Sequence, residues 1–149
     1  MEKIALADLD VLAQNVLAQL GPLASAQDKS RATLVALQGD LGAGKTTFTQ
    51  ALARQLGVVE VVQSPTYVLM KSYPINYKGL STLIHIDAYR LDAPEQFAAL
   101  NPNEFLDNPN NLVVVEWPER LQGVLPTPDL VLNFSSQDAA AGERYIEVV

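Results

Sequence analysis

Residues 37–47 read LQGDLGAGKTT. Gly39, Gly44, Lys45 and Thr46 satisfy the spacing G-x-x-x-x-G-K-[ST], which serves phosphate binding. In such a loop successive main-chain N–H groups converge on an anion, and glycine stands where a Cβ would block it. On this reading Gly39, Asp40, Leu41, Gly42, Ala43, Gly44, Lys45, Thr46 and Thr47 form a nucleotide cradle. Lys45 reaches the β and γ phosphates, and the Thr46 hydroxyl ligates Mg²⁺. Thr47 lies one residue further from the metal. The bland alternative is a glycine-rich strand–turn–helix connection. At average composition the four fixed positions match by chance in a chain this long with probability on the order of half a per cent. An apolar run before the loop and a helical pattern after it supply the context that the motif requires.

A phosphate loop that uses Mg²⁺ needs a second acid, normally at the end of a neighbouring strand. LIHID ends in Asp87 and LVVVE ends in Glu116. Alternation of side chains along the first strand puts Leu83, His85 and Asp87 on one face and Ile84 and Ile86 on the other. The second strand has four consecutive apolar residues. It reads as central, with its acid at the carboxyl edge where ligands sit in open α/β sheets. Either acid could instead be a strand-end carboxylate in water. His85 alone reads as a packed, hydrogen-bonded histidine. Arg90 pairs with Asp87 or Glu95, or contacts a phosphate. In Ser64-Pro65-Thr66, Thr66 belongs either to simple turn chemistry or to a switch loop that senses the γ-phosphate and metal. Trp117 is either core packing or a neighbour of the nucleotide, and Pro118 biases it toward an extended backbone.

The elements that must place these groups are legible in outline. Leu9, Leu12, Val16 and Leu20 give helical spacing over residues 8–20, with Asp8 as cap and Gly21-Pro22 as stop. Residues 33–37 form a buried strand, and 46–57 a helix closed by Gly57. Residues 58–62 form a short strand. Residues 67–73 and 82–87 are an antiparallel pair joined by a loop holding Pro74, Asn76 and Gly79. Pro94 and Pro102 divide residues 93–106 into two short helical pieces, and 107–111 is a turn cluster. Residues 129–134 and 144–149 are terminal strands. The order predicts an α/β P-loop nucleotide-binding fold, with a mixed, mostly parallel sheet and flanking helices.

Composition bounds the function. A length of 149 residues suits a single domain spanning 1–149. The net charge is −7, and the ten Lys and Arg residues are scattered with no two adjacent. There is no basic stripe, so strong direct nucleic-acid binding is not expected, and a protein partner is. No run of about 18 apolar residues exists, so no membrane span is expected. The N-terminal residues lack the basic start of a signal peptide. The chain has no cysteine, which removes disulfides and thiolate metal sites and fits a cytoplasmic location.

GDLGAGKTT, SPTY, HIDAYRL and EWPE follow one another at spacings that resemble the bacterial tRNA threonylcarbamoyladenosine biosynthesis ATPase family TsaE. The likeness runs from about Leu37 to Leu121. It implies a weak ATPase that needs ATP and Mg²⁺ and supports a threonylcarbamoyl transferase heterodimer of TsaB and TsaD type, without itself transferring the group to tRNA. Carried over by position, it implies Gly39 to Thr46 as the ATP site and Thr46 and Glu116 as Mg²⁺ ligands. Lys45 would face the phosphates, Asp87 would assist hydrolysis and Thr66 would be the switch residue. Trp117 would lie beside the nucleotide. Position 88 is alanine where the family commonly has leucine. Its parity is opposite to that of Asp87, so this departure concerns packing. A nucleotide contact near the start of the first helix, around Asp8, is also implied. Rival readings are a small-molecule kinase, for which five arginines are few, and a non-hydrolysing ATP-binding regulator. A guanine-specific switch lacks any N-K-x-D stretch.

Overall fold

The computed structural model describes residues 2–24, 30–60, 62, 69–137, 139–140 and 142–149. Seven strands form one sheet: β1 (Glu2–Ala5), β2 (Thr33–Gly39), β3 (Met70–Tyr77), β4 (Leu80–Asp87), β5 (Asn111–Glu116), β6 (Leu130–Ser135) and β7 (Glu143–Val148). Their spatial order is β1-β7-β6-β2-β5-β4-β3. The four central strands β6, β2, β5 and β4 run parallel, and the outer pairs are antiparallel. This is the mixed α/β sheet that the sequence predicts.

Both faces of the parallel centre must be covered, and the two-residue period assigns each side chain to one layer. Leu37, Leu83, Leu112 and Val114 meet α1 (Leu9–Ala24) and α2 (Lys45–Gln55) through Val16, Leu20, Phe48 and Leu52. Leu34, Ile84, Ile86, Val113 and Val115 face the other way. They pack on α3 (Glu95–Ala98) and α4 (Pro102–Leu106) through Phe97, Phe105 and Leu106. Leu83 and Ile84 therefore fall in opposite layers, as alternation requires.

Parallel register sets the site. Leu37 lies opposite Glu116 on one side of β5, and Asp87 lies opposite Glu116 on the other. The loop after β2 and both strand-end acids consequently emerge together at the carboxyl edge, where an open α/β sheet places its ligands.

Several boundaries differ from expectation. The α1 backbone runs through Gly21-Pro22 to Ala24. Proline's fixed φ is itself helical, so the interruption is a lost N–H donor rather than a forced turn. Asp8 closes a 3-10 turn, Leu6–Asp8, that feeds directly into α1 instead of capping it from an extended conformation. The short N-terminal strand β1 carries too few residues to announce itself. Residues 58–60 and 62 form no strand. Val58 N–H donates to Ala53 O at 3.0 Å and the Gln50 side chain donates to Val62 O at 2.8 Å, so this segment closes the end of α2.

The loop expected at 74–81 is mostly strand. β3 and β4 are joined by Lys78 and Gly79 alone, with φ of 46° and 87°, as a tight hairpin turn requires. Pro74 sits inside β3 because β3 is the sheet's outer strand, where a missing donor is tolerated. The register shifts between Pro74 and Tyr77.

Candidate functional site

The turn between β2 and α2 is shaped by close approach. A Cβ on Gly39, whose φ is 147°, would stand 2.4 Å from the Phe134 carbonyl oxygen of neighbouring β6. Only glycine lets the loop leave the sheet there. Gly44 occupies the left-handed region at φ 105°, and α2 begins at Lys45. The positive end of this 11-residue helix is thus aimed along the loop.

Lys45 is 4% exposed. Its Nζ donates to Gly39 O at 2.6 Å and Asp40 O at 2.8 Å, and it lies 4.5 Å from the centroid of the Trp117 ring. Burial lowers its pKa below the ordinary lysine value, against the opposing pull of Glu116, Glu119, Asp87 and Asp40. The ammonium is held in place by main-chain carbonyls and an aromatic face.

Thr46 Oγ1 donates toward Glu116 and lies 3.0 Å from each carboxylate oxygen. His85 Nε2 lies 2.5 Å from Glu116 Oε2. Glu116 is buried, and two polar side chains converge on its carboxylate. Asp87, also buried, accepts a bond from Tyr89 N–H at 3.0 Å. It borders a cavity of about 360 Å³, of a size suited to a small-molecule ligand. The same cavity is bordered by Leu41, Gly42, Gly44, Lys45, Thr46, Thr47, Glu116 and Trp117. Gly39, Asp40 and Ala43 lie outside its lining. Gly39 and Asp40 offer carbonyls to Lys45, and Ala43 is buried beneath the loop. Thr66 and its SPTY stretch lie outside the described residues.

A hydroxyl and a carboxylate are hard oxygen donors of the kind that suit Mg²⁺. Among the described residues no group of three or more His, Cys, Asp or Glu could hold a metal unaided. This donor set fits a cation that shares its shell with phosphate oxygens and water, the usual Mg²⁺ arrangement.

Trp117 departs from the extended backbone expected before proline. Its φ and ψ are 60° and 52°. Trp117 N–H donates to Leu37 O at 3.3 Å, and the chain then turns into the 3-10 segment Pro118–Leu121. The β2–β5 register and this reversal together override the local preference, and the strain sits beside the cavity. The indole lies 5.1 Å from the Tyr89 ring, centroid to centroid, with the planes tilted by 45°.

Three cavity residues escape sequence reasoning: Tyr89, which follows Asp87 at the end of β4, and Leu6 and Arg144. Leu6 and Arg144 stand far apart in the chain, and no local motif marks them. The β1–β7 pairing joins their neighbourhoods, with Ile4 opposite Arg144 and Leu6 N–H donating to Gly142 O at 2.7 Å. Arg144 Nη2 donates to Gly42 O at 3.2 Å, tying the loop to β7. Near the start of the first helix, where the resemblance implies a nucleotide contact, Leu6 borders the cavity, and Asp8 is exposed and outside its lining. Arg90 is another cavity residue.

Comparison with known proteins gives a consistent result. The family model described as threonylcarbamoyl adenosine biosynthesis protein TsaE matches residues 10–146. A tRNA threonylcarbamoyladenosine biosynthesis protein TsaE from Haemophilus influenzae is 38% identical, over 80% of this chain and 71% of that relative. One of the same name from Treponema pallidum is 38% identical, over 78% of this chain and 81% of the relative. The crystal structure of Bacillus subtilis YdiB superposes with a TM-score of 0.61 at 25% identity, covering 97% of this chain and 80% of that one.

Proposed function

The chain belongs to the TsaE family of threonylcarbamoyl adenosine biosynthesis proteins, and from that premise we propose that it is a Mg²⁺-dependent P-loop ATPase serving tRNA threonylcarbamoyladenosine formation. The observation that carries the reading is the meeting of Thr46 and Glu116 at the start of α2, directly beside the glycine loop.

Each residue then has a task. The main-chain N–H groups from Leu41 to Thr46 and the N-terminus of α2 bind the phosphates. Lys45 leaves the Gly39 and Asp40 carbonyls to contact the β and γ oxygens. Thr46 and Glu116 would hold Mg²⁺, which when bound neutralises charge developing on the transferred phosphoryl group. Asp87, fixed by the Tyr89 amide, orients the attacking water, and Thr66 is the switch residue. Trp117 flanks the phosphates, and Thr47 is close enough to touch the nucleotide.

The partner is a transferase pair of TsaB and TsaD type, and the chain is a single domain working in the cytoplasm, where tRNA is modified. The net charge of −7 with scattered cations supports action through protein rather than by gripping RNA. No helix among the described residues is long and apolar enough to cross a membrane.

The test is phosphate release from ATP by the chain alone and with the transferase pair and tRNA. Hydrolysis that rises on adding the partners supports the proposal. Binding without release under either condition would make the protein a regulator, and a phosphorylated small-molecule acceptor would make it a kinase.

A further inference from the structure

Glu116 needs an anchor that remains when Thr46 turns to a cation. The Thr46 hydroxyl donates toward the carboxylate. A hydroxyl whose oxygen engages a cation must redirect its proton, and a glutamate with three rotatable bonds is then held less firmly. His85 is placed to take over. It lies on β4 one pair of rungs behind Asp87, opposite Val114, and its ring reaches forward to Glu116 Oε2 at 2.5 Å.

The ring suits that task and no other that is visible among the described residues. His85 is fully buried, and its Nδ1 has no hydrogen-bond partner. A side chain needed only to fill this layer, beside Leu83 and Val114, would do better as leucine, because an unpaired buried nitrogen is unfavourable. An ionised carboxylate can only accept, so the proton in the contact belongs to Nε2.

We infer that His85 is a positioning residue, which holds Glu116 Oε2 through Nε2–H and so fixes the carboxylate for the Mg²⁺ that accompanies the nucleotide. This rests on the Mg²⁺-nucleotide reading above and adds to it a residue that neither touches substrate nor binds the metal. Partners that orient a metal ligand typically change metal affinity about 10–100-fold when removed.

The experiment compares two amides on the full-length chain. In His85→Gln the amide nitrogen reaches the place of Nε2. In His85→Asn it reaches only the place of Nδ1. Fluorescent mant-ADP is titrated with EDTA present, and then at fixed mant-ADP with increasing MgCl₂. The metal-free affinity should stay within about twofold of the parent for both, and half-saturating Mg²⁺ should rise about tenfold or more for Asn but less than about threefold for Gln. Equal Mg²⁺ demand in the two variants, or a parallel loss of metal-free affinity, overturns the inference. If His85→Asn does not fold, His85→Gln still decides, because a tenfold rise there is incompatible with the proposed contact. Lys45→Ala separately tests the phosphate loop, since it should weaken mant-ADP with or without Mg²⁺. A parent chain that binds no mant-ADP ends the nucleotide reading and this inference with it.

Discussion

Thr46 Oγ1 and the Glu116 carboxylate lie 3.0 Å apart although 70 positions separate them in sequence. Strand order makes the contact. β2 and β5 are adjacent and parallel, and Leu37 and Glu116 share a rung. The threonine in the first turn of the helix after β2 therefore arrives beside the acid that ends β5.

Glu116→Gln keeps the volume and removes the charge. Nucleotide affinity in EDTA should change little, while Mg²⁺-dependent hydrolysis should fall by about 100-fold or more, because phosphoryl transfer relies on a correctly held cation. Equal losses with and without metal would remove the metal role from Glu116.

Lys45 carries a pH signature. Its folded pKa lies below the ordinary lysine value of 10.5 because of burial. Between those two pKa values the unfolded chain binds a proton that the folded chain lacks, so folding gains from this group as pH rises. At lower pH both forms are protonated, and the penalty for the buried ammonium is fully present. In thermal melts from neutral pH toward 10.5, the ligand-free parent should improve relative to Lys45→Met. Parallel profiles for the two proteins would contradict this.

Gly39→Ala should destabilise the fold by more than about 2 kcal/mol, because the new methyl meets a carbonyl oxygen at 2.4 Å and the backbone is left-handed. Gly123→Ala, at φ 85° with open space around it, should lose only about 1 kcal/mol. Urea unfolding measures both. Similar losses at the two positions would mean that the β6 backbone yields and the close approach is unimportant.

Trp117 is the chain's only tryptophan, so its emission reports one place. ATP should change that emission as Lys45 leaves its position 4.5 Å from the ring. Lys45→Ala should alter the starting spectrum and suppress the response. An unchanged spectrum through saturation, with binding confirmed by another method, would separate the indole from the phosphates.

What could be read in advance follows from the range over which each signal acts. The loop, the alternation in β4 and the unbroken apolar run of β5 are local, and the structure keeps all three. Strand adjacency is not local. The sequence left Asp87 and Glu116 as separate candidates, whereas the register brings both to one edge. Arg144 and Leu6 depend on a pairing between the first and last strands and had no signal to offer. Trp117 shows local preference losing to a long-range constraint, since the Leu37 hydrogen bond fixes a conformation that the following proline disfavours. His85 was read correctly as packed and hydrogen-bonded, but its partner could be named only once two strands were side by side.

Pro74 bears on how the protein behaves when concentrated. A sheet's rim is a template on which another chain can lay down a strand and begin a fibril. On this rim the ladder is broken, because Pro74 has no amide hydrogen and the irregularity after it throws the following residues out of step. The opposite rim is only four residues long and presents exposed Glu2 and Lys3. Stacking of copies edge to edge is disfavoured at both ends of the sheet.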